Sequence, residues 1–479
     1  MIYVLIALAG LLALLIAVVL IRTAGFRPKE NVAPAEGTEE FDKDRAVKNL
    51  QEMLKCKTVS YRDHRLEDEA EFQKFIGLLP ELFPLVHENC TRMTFPDRGL
   101  LYRWAGRRAE DPSVMMAHYD VVPVDESGWE KPAFEGILEN GVLWGRGSLD
   151  TKITLASALF AAEHLMEQGF VPENDIYFAF SGGEEINGPG AVHIVNYFKE
   201  NRITPALVVD EGGAVVENVF PGVSGQCGMI GIAEKGMMDV EYCTKSAGGH
   251  ASAPKPHTPV GVLSQACCKV ENKPFPVKMT KPVAAMFDTL GRHSSFLYRM
   301  IFSNLWLFSG VLDLLCKKQG GELNALMRTT VAFTQMRGSS ASNVIPPEAA
   351  MVSNIRLNPL DNTAGALEYL RKTVDDPNVE VRMIQGINPS PISEVDCPAW
   401  DKVASAVAGT WKGCIVTPYL MVQCSDSRHY AGLSDHVYRF SAMDLTGEER
   451  ATIHGHNERI RVEGIHRAAE FYIRLLKQC

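Results

Sequence analysis

Apolar residues follow two rhythms along this chain, and the change between them divides it. Residues 44–58 set Val47, Leu50, Met53 and Leu54 at helical spacing. A short apolar run at 113–117 reads as a buried strand, 154–168 as an Ala- and Leu-rich helix ended by Gly169, and 175–181 and 206–209 as further strands. Strands alternating with helices predict an α/β fold with a mostly parallel central sheet, and such sheets gather ligands at the carboxyl ends of their strands. After Gly236 the pattern changes. Strands are expected over 237–244, 329–336, 349–357 and 379–385, with helices over 259–271 and 364–374, which describes a second α+β unit. The first rhythm resumes beyond Pro389, and a helix over 463–477 closes it. The expected organisation is therefore a large domain from 44–235 and 388–479, with 236–387 inserted as a smaller lid or dimerisation domain.

Two stretches are apolar without either rhythm. The first 21 residues carry no charge before Arg22 and are long enough to cross a bilayer, which predicts an uncleaved anchor over 1–24. A cleaved signal peptide normally has a charged start and a shorter apolar core. Arg22, Arg27 and Lys29 follow the span and no Lys or Arg precedes it, so the positive-inside rule places the body on the cytoplasmic side. Residues 25–43, rich in Pro, Gly and acid, read as a linker. The second stretch, 296–315, is interrupted by Arg299, Asn304 and Asp313, which predicts a buried or interfacial helix pair rather than another span.

Composition narrows the function. With 46% hydrophobic and 22% charged residues over 479 positions, the chain is a folded body of more than one domain. A net charge of -10 and the lack of a basic run argue against a nucleic-acid partner. Eleven irregularly spaced cysteines do not form a disulfide framework and suit a reducing compartment.

The candidate chemistry lies where strands end. His118-Tyr119-Asp120 closes the apolar run at 113–117, and Asp120 is placed to hold one imidazole nitrogen while the other faces a cation. Asp150 follows in Gly145-Arg146-Gly147-Ser148-Leu149-Asp150, and Glu184-Glu185 follows the strand at 175–181. Asp210-Glu211 ends another strand, and His454 and His456 lie far along the chain. Two divalent cations carry four positive charges, which Asp150, Glu185, one acid of the 210–211 pair and a hydroxide would balance. Glu184, next to a ligand but free, could take a proton from water and pass it to a leaving nitrogen. Oxygen and nitrogen donors without cysteine suit two Zn²⁺ ions, and Mn²⁺ or Co²⁺ fits the same set.

These segments carry a resemblance. HYD at 118–120, GRGSLDTK at 145–152, GGEE at 182–185, DEGG at 210–213, GGHASAP at 248–254, SNVIPPEA at 342–349 and IHGHNER at 453–459 resemble, in order, the zinc-dependent aminoacylase and carboxypeptidase family. The insertion with SNLWLF at 303–308, RTTVAFTQ at 328–335 and SDSRHY at 425–430 is most similar to its carboxypeptidase S and N-fatty-acyl-amino-acid synthase/hydrolase branch, although Val422-Gln423-Cys424 departs from that branch's small lead-in.

The resemblance implies a zinc-peptidase catalytic domain in which His118 and His454 bind separate metals, Asp150 bridges them, Glu185 joins His454, and one of Asp210 and Glu211 completes the set. It implies Asp120 as the residue orienting His118, Glu184 as general base, His250 as an oxyanion group that reaches across a dimer in some relatives, and Asn343 and Arg356 as substrate-binding residues. The expected activity is hydrolysis of an N-acyl amino acid or a peptide next to a free carboxylate, reversible in principle. Long-chain acyl groups suit the anchor. A carboxypeptidase or dipeptidase acting on unmodified peptides is the alternative, and a non-catalytic metal-binding scaffold the third.

Overall fold

In the computed structural model, which describes residues 1–29, 32–37, 39–218 and 220–479, the apolar run before His118 is the inner half of the strand Arg108–His118. It lies inside an eight-stranded sheet. In spatial order the strands are Cys90–Phe95, Gly99–Trp104, Asn174–Ser181, Arg108–His118, Leu207–Glu217, Val437–Leu445, Gln226–Glu234 and Ile415–Met421. The central pairings are parallel, including His118 opposite Ser181, so the carboxyl ends of neighbouring strands come level. Cys90–Phe95 and Gly99–Trp104 add antiparallel pairings at one edge. Helices Lys152–Glu167 and Val462–Leu476 pack together, and their apolar residues join the core of the sheet.

The alternation of side chains along a strand positions the first site residues. His118 and Asp120 turn one way, whereas Tyr119 turns the other, stacks on Phe75 with ring centroids 5.0 Å apart and donates its hydroxyl to Arg98 O at 2.8 Å. Phe72 meets the same ring edge-on. Burial of three aromatic rings thus fixes the strand end from behind.

A separate antiparallel sheet holds Thr330–Arg337, Glu348–Leu357, Gly236–Lys245 and Glu380–Ile387, in that order, with helices Pro259–Asn272 and Thr363–Val374 packed into its own core. Its chain order is β-α-β-β-α-β. Where the chain enters and leaves this sheet the two passes touch: a Cβ at Gly236 would lie 2.6 Å from Ile387 O and 2.7 Å from Pro389 N.

Residues 281–327, expected as part of the smaller unit, pack elsewhere. Helices Lys281–His293, Phe296–Ser303, Leu305–Gln319 and Gly321–Met327 send Met286, Phe287, Leu290, Phe302 and Met327 into the core of the large sheet. The linker expected at 25–43, three of whose residues (30, 31 and 38) lie outside the described ones, is fastened at 35–37, where the Arg474 guanidinium donates to Ala35 O, Glu36 O and Gly37 O.

Phe75→Ala removes the ring that backs Tyr119, and the transfer and cavity terms together predict a loss of about 3–5 kcal/mol, read from the shift in the denaturation midpoint. A loss below about 1 kcal/mol would show that Tyr119 is held by other contacts.

Candidate metal centre

At the carboxyl end of Arg108–His118 the imidazole of His118 is 2% exposed. Its Nδ1 lies 2.9 Å from the backbone oxygen of Asp120 and 3.4 Å from Asp120 Oδ1. A carbonyl only accepts, so Nδ1 carries a proton and Nε2 is the nitrogen left to face a cation. That nitrogen lies 3.1 Å from Asp150 Oδ1 and 3.3 Å from Glu211 Oε1. The other oxygen of Asp150 lies 3.1 Å from His454 Nε2, which is also 3.1 Å from Glu185 Oε2. Asp150 therefore stands between two imidazoles with one oxygen toward each.

Neighbouring elements hold each of these side chains. Asp120 accepts the Ser60 hydroxyl at 2.6 Å and the backbone N–H groups of Glu184 and Glu185 at 3.1 and 3.2 Å, so one buried carboxylate aims both the 118 strand and the 184–185 loop. Glu458, fully buried, does the same for the Asp150 loop by accepting N–H from Gly147, Leu149 and Asp150 and pairing with Arg146 Nη1 at 2.6 Å. His454 sits at φ 58°, a left-handed conformation uncommon for a residue with a Cβ and often found at functional sites.

A break in the ladder selects between the two acids of the 210–211 pair. Arg439 pairs with Asp210 but Phe440 pairs with Gly213, so Glu211 and Gly212 bulge from the sheet. Gly212 has φ 148°, and a Cβ there would lie 2.6 Å from Met421 Sδ. The bulge turns Glu211 toward His118. Asp210, a candidate from sequence, faces back into the protein, where it accepts N–H from Glu211 and Ser427, each at 2.9 Å.

Glu184 offers an oxygen within 4.8 Å of donor atoms of His118 and Glu211 and lies 4.0 Å from Arg428 Nη2. The expected oxyanion group and the two expected substrate-binding residues lie elsewhere. Exposed His250 lies on the small ladder where Gly249 faces Ile345 and His250 faces Val344, exposed Asn343 directly precedes the second strand, and among the described residues neither side chain hydrogen-bonds to the cluster. Half-buried Arg356 places Nη1 3.3 Å from Cys424 Sγ.

The electrostatics express crowding. Burial would lower the pKa of His118, but the charge of Glu211 and the hydrogen bonds its imidazole donates to Asp120, Asp150 and Glu211 carry it well above its ordinary value. Burial and the nearby Asp426, Glu211 and Glu185 charges push Glu184 well up, though His118 opposes them. Glu211 is pushed up to about 8, chiefly by burial. Asp150 moves down despite burial, because His118 and His454 both hydrogen-bond to it. His454 rises to about 10 through its hydrogen bonds with Asp150 and Glu185.

Two ligands about 2.0–2.1 Å from one tetrahedral cation lie roughly 3.3 Å apart, close to the 3.1–3.3 Å spacings here. Glu185 Oε1 is buried and has no hydrogen-bond partner among the described residues. The donor set thus fits a pair of divalent cations, with His118, Asp150 and Glu211 on one side and His454, Asp150 and Glu185 on the other.

Beside the cluster lies a cavity of about 600 Å³. Asp150, Glu184, Glu185, Glu211 and His454 line one end, and Val216, Met229, Met421, Met443 and Leu445 give an apolar wall. Gly321, Glu322 and Ala325 of the helix Gly321–Met327 line it too, together with Tyr419, whose hydroxyl donates to Glu322 at 2.9 Å.

Sequence reasoning gave no role to Asp426, Arg428 or Glu458. Asp426 is buried, accepts the Ser181 hydroxyl at 2.6 Å and is pushed up to about 7, mainly by burial. Arg428 lies between Glu184 and Glu234. All three stand inside the segments SDSRHY and IHGHNER, which was the available signal.

The profile of "Peptidase family M20/M25/M40" matches residues 114–478. A probable carboxypeptidase S-like protein of Dictyostelium discoideum is 33% identical over 98% of this chain and 92% of its own length. An N-fatty-acyl-amino acid synthase/hydrolase of Danio rerio is 31% identical over 97% and 93%. Among solved structures, an M20 family metallo-carboxypeptidase of Sulfolobus solfataricus superposes with a TM-score of 0.68 at 18% identity, covering 90% of this chain and 98% of its own.

Glu458→Gln weakens the acceptor of three backbone N–H groups and leaves buried Arg146 without its counter-charge. The expected loss is about 3–5 kcal/mol of stability, measured by denaturation. A variant as stable as the parent would show that the Asp150 loop does not depend on this carboxylate.

Proposed function

The chain belongs to peptidase family M20/M25/M40, whose members are metal-dependent, and we propose that it is a two-zinc amidohydrolase acting on long-chain N-acyl amino acids. The observation that carries this reading is the cavity: the carboxylates of the cluster and His454 share it with a valine, a leucine and three methionines. Methionine side chains adapt to irregular apolar shapes, and a volume of about 600 Å³ lies in the range of small-molecule sites. The activity for which the Danio rerio relative is named points the same way.

In this proposal His118, Asp150 and Glu211 hold one cation, and His454, Asp150 and Glu185 the other. Bound there, the ions would lower the pKa of a water and polarise the scissile carbonyl. Glu184 takes the proton released as the water oxygen forms its bond to the carbonyl carbon. It then hands that proton to the amide nitrogen as the C–N bond breaks, leaving a fatty acid and a free amino acid. Asp120 keeps His118 in the tautomer that offers Nε2. Arg356, at the cavity's Cys424 edge, would receive the substrate carboxylate. His250 and Asn343 stand apart from the cluster of their own chain; movement of the smaller domain, or pairing of two copies through it, would give them a route to a reacting carbonyl.

The helix Ile2–Gly25 would be a retained membrane anchor. Its last turns dock on the body: the Arg22 guanidinium donates to Ser303 O at 3.1 and 3.2 Å, and Asn304 Nδ2 to Val19 O at 3.3 Å. A leader removed on export has no need of such contacts. The cations after the span favour a cytoplasmic body.

If acyl chains lie along the apolar wall, each added methylene contributes about 0.8 kcal/mol, or roughly fourfold in kcat/KM, until the cavity is filled. The zinc-loaded protein should show this rise across a series from N-acetyl to N-oleoyl amino acids. Ala325→Phe should flatten the series at its long end while sparing acetyl substrates. Faster turnover of acetyl amino acids or unmodified dipeptides would overturn the proposal and favour the peptidase reading.

A further inference from the structure

The helices Phe296–Ser303 and Leu305–Gln319 meet at a bend of 109° and carry an apolar surface that stays exposed among the described residues. On the longer helix Leu312 and Cys316 turn into the core, whereas Leu307, Val311, Leu314 and Leu315 lie on the opposite face and are 40–67% exposed. These four follow the i, i+4, i+7, i+8 spacing of a single helical stripe. Phe296 and Leu297, each 60% exposed, continue the surface on the shorter helix, and Trp306, 56% exposed, stands at the join.

The position of this surface identifies what covers it. The bend at Ser303-Asn304 is the place where the N-terminal helix docks: Thr23 Oγ1 lies 3.2 Å from Ser303 Oγ, and buried Asn304 reaches Val19 O. The apolar run of that helix, residues 2–21, is roughly 30 Å long, about the thickness of the hydrocarbon core. A helix spanning that core carries Val19 about 4.5 Å inside the level of Arg22. The bend is therefore held at the hydrocarbon boundary. Neither helix of the pair is long enough to cross, and the bend sends them in different directions, so they lie along the surface rather than through it.

Polar chemistry at the bend agrees. Asn304 also donates to Met300 O and to Ser303 Oγ, each at 2.9 Å, so the irregular backbone is satisfied within the protein, as it must be at this depth. Cations gather at the same level. Arg22 donates to Ser303 O, Arg292 lies 4.3 Å from the Phe26 ring centroid, and Lys29 pairs with Asp288 at 3.1 Å. Basic and aromatic residues in such a rim suit the headgroup region.

We propose that residues 296–319 form a second membrane contact, an in-plane helix pair whose exposed stripe is seated in the acyl-chain region of the lipid bilayer beside the N-terminal helix. The proposal rests on reading that helix as a retained anchor. It also gives the contact a use: past Gly320 the chain runs directly into Gly321–Met327, which lines the cavity, so a cavity wall stands next to the phase in which long-chain substrates dissolve.

The test uses the full chain in phosphatidylcholine vesicles, comparing ordinary lipid with lipid brominated on its acyl chains. Bromine should quench the parent more than Trp306→Phe, with the Trp306 share of the emission falling by at least half. Unchanged turnover of an acetyl amino acid by Trp306→Phe shows that the variant is folded. Equal quenching of parent and variant, or a Trp306 share quenched instead by aqueous iodide, would overturn the proposal. A Trp306 share reached by neither quencher would also overturn it, because a second copy of the protein would then cover the stripe. Intact mass and alkaline carbonate extraction report separately on the anchor: a retained N-terminus in the membrane fraction upholds that reading whatever Trp306 shows, and a missing one sinks it.

Discussion

Like charges crowded into one partly dry volume are the constraint on which this structure depends. Asp150, Glu184, Glu185 and Glu211 share a cluster with only two imidazoles, and Asp120, Asp210 and Asp426 are buried around it. Two unit charges about 4 Å apart interact by roughly 4 kcal/mol near a protein surface, so several carboxylates require either protons or cations of high charge. Burial first and neighbouring charge second raise the pKa values of Glu184 and Glu211 in the bare site, whereas the two histidines lower that of Asp150. Divalent cations would relieve the same repulsion without neutralising the ligands. The rest of the fold supplies rigidity: Asp120 and Glu458 give their hydrogen-bonding capacity to backbone N–H groups of the loops that carry the other acids.

Much of this was legible in sequence because it is periodic or local. The strand ending at His118, the strand before Glu184 and the helices flanking them follow from apolar spacing, as does the alternating sheet between Gly236 and Ile387. Four features were not legible. The interrupted apolar run at 296–315 reads as a buried or interfacial helix pair, but nothing in it shows that 281–327 packs on the large sheet. The edge strands Cys90–Phe95 and Gly99–Trp104 mix charged with apolar residues around a tight turn and give no clean alternation. The choice of Glu211 over Asp210 depends on a bulge, a property of the pairing rather than of either residue. Glu458 stands in the same short segment as His454, yet its function is set by backbone groups more than 300 positions away.

The inserted sheet and the helices beside it divide the remaining tasks. The four-stranded sheet holds Arg356 near the cavity, and a separate two-stranded ladder carries His250, with Asn343 just before its second strand. The helices at 281–327 face two ways. One side completes the core and the cavity wall, and the other presents apolar surface at the foot of the N-terminal helix. The same segment would thus shape what the cavity accepts and where the body rests.

The central claim is that a cation pair and an unligated Glu184 divide the chemistry between them, and Glu184→Gln tests it most directly when metal content and turnover are measured on one preparation. The account predicts two zinc ions per chain in parent and variant alike, with kcat lowered by roughly 10²–10⁴ in the variant, the usual worth of a positioned acid–base group. Turnover within tenfold of the parent, or the loss of one ion, would contradict it by showing that Glu184 is either dispensable or itself a ligand.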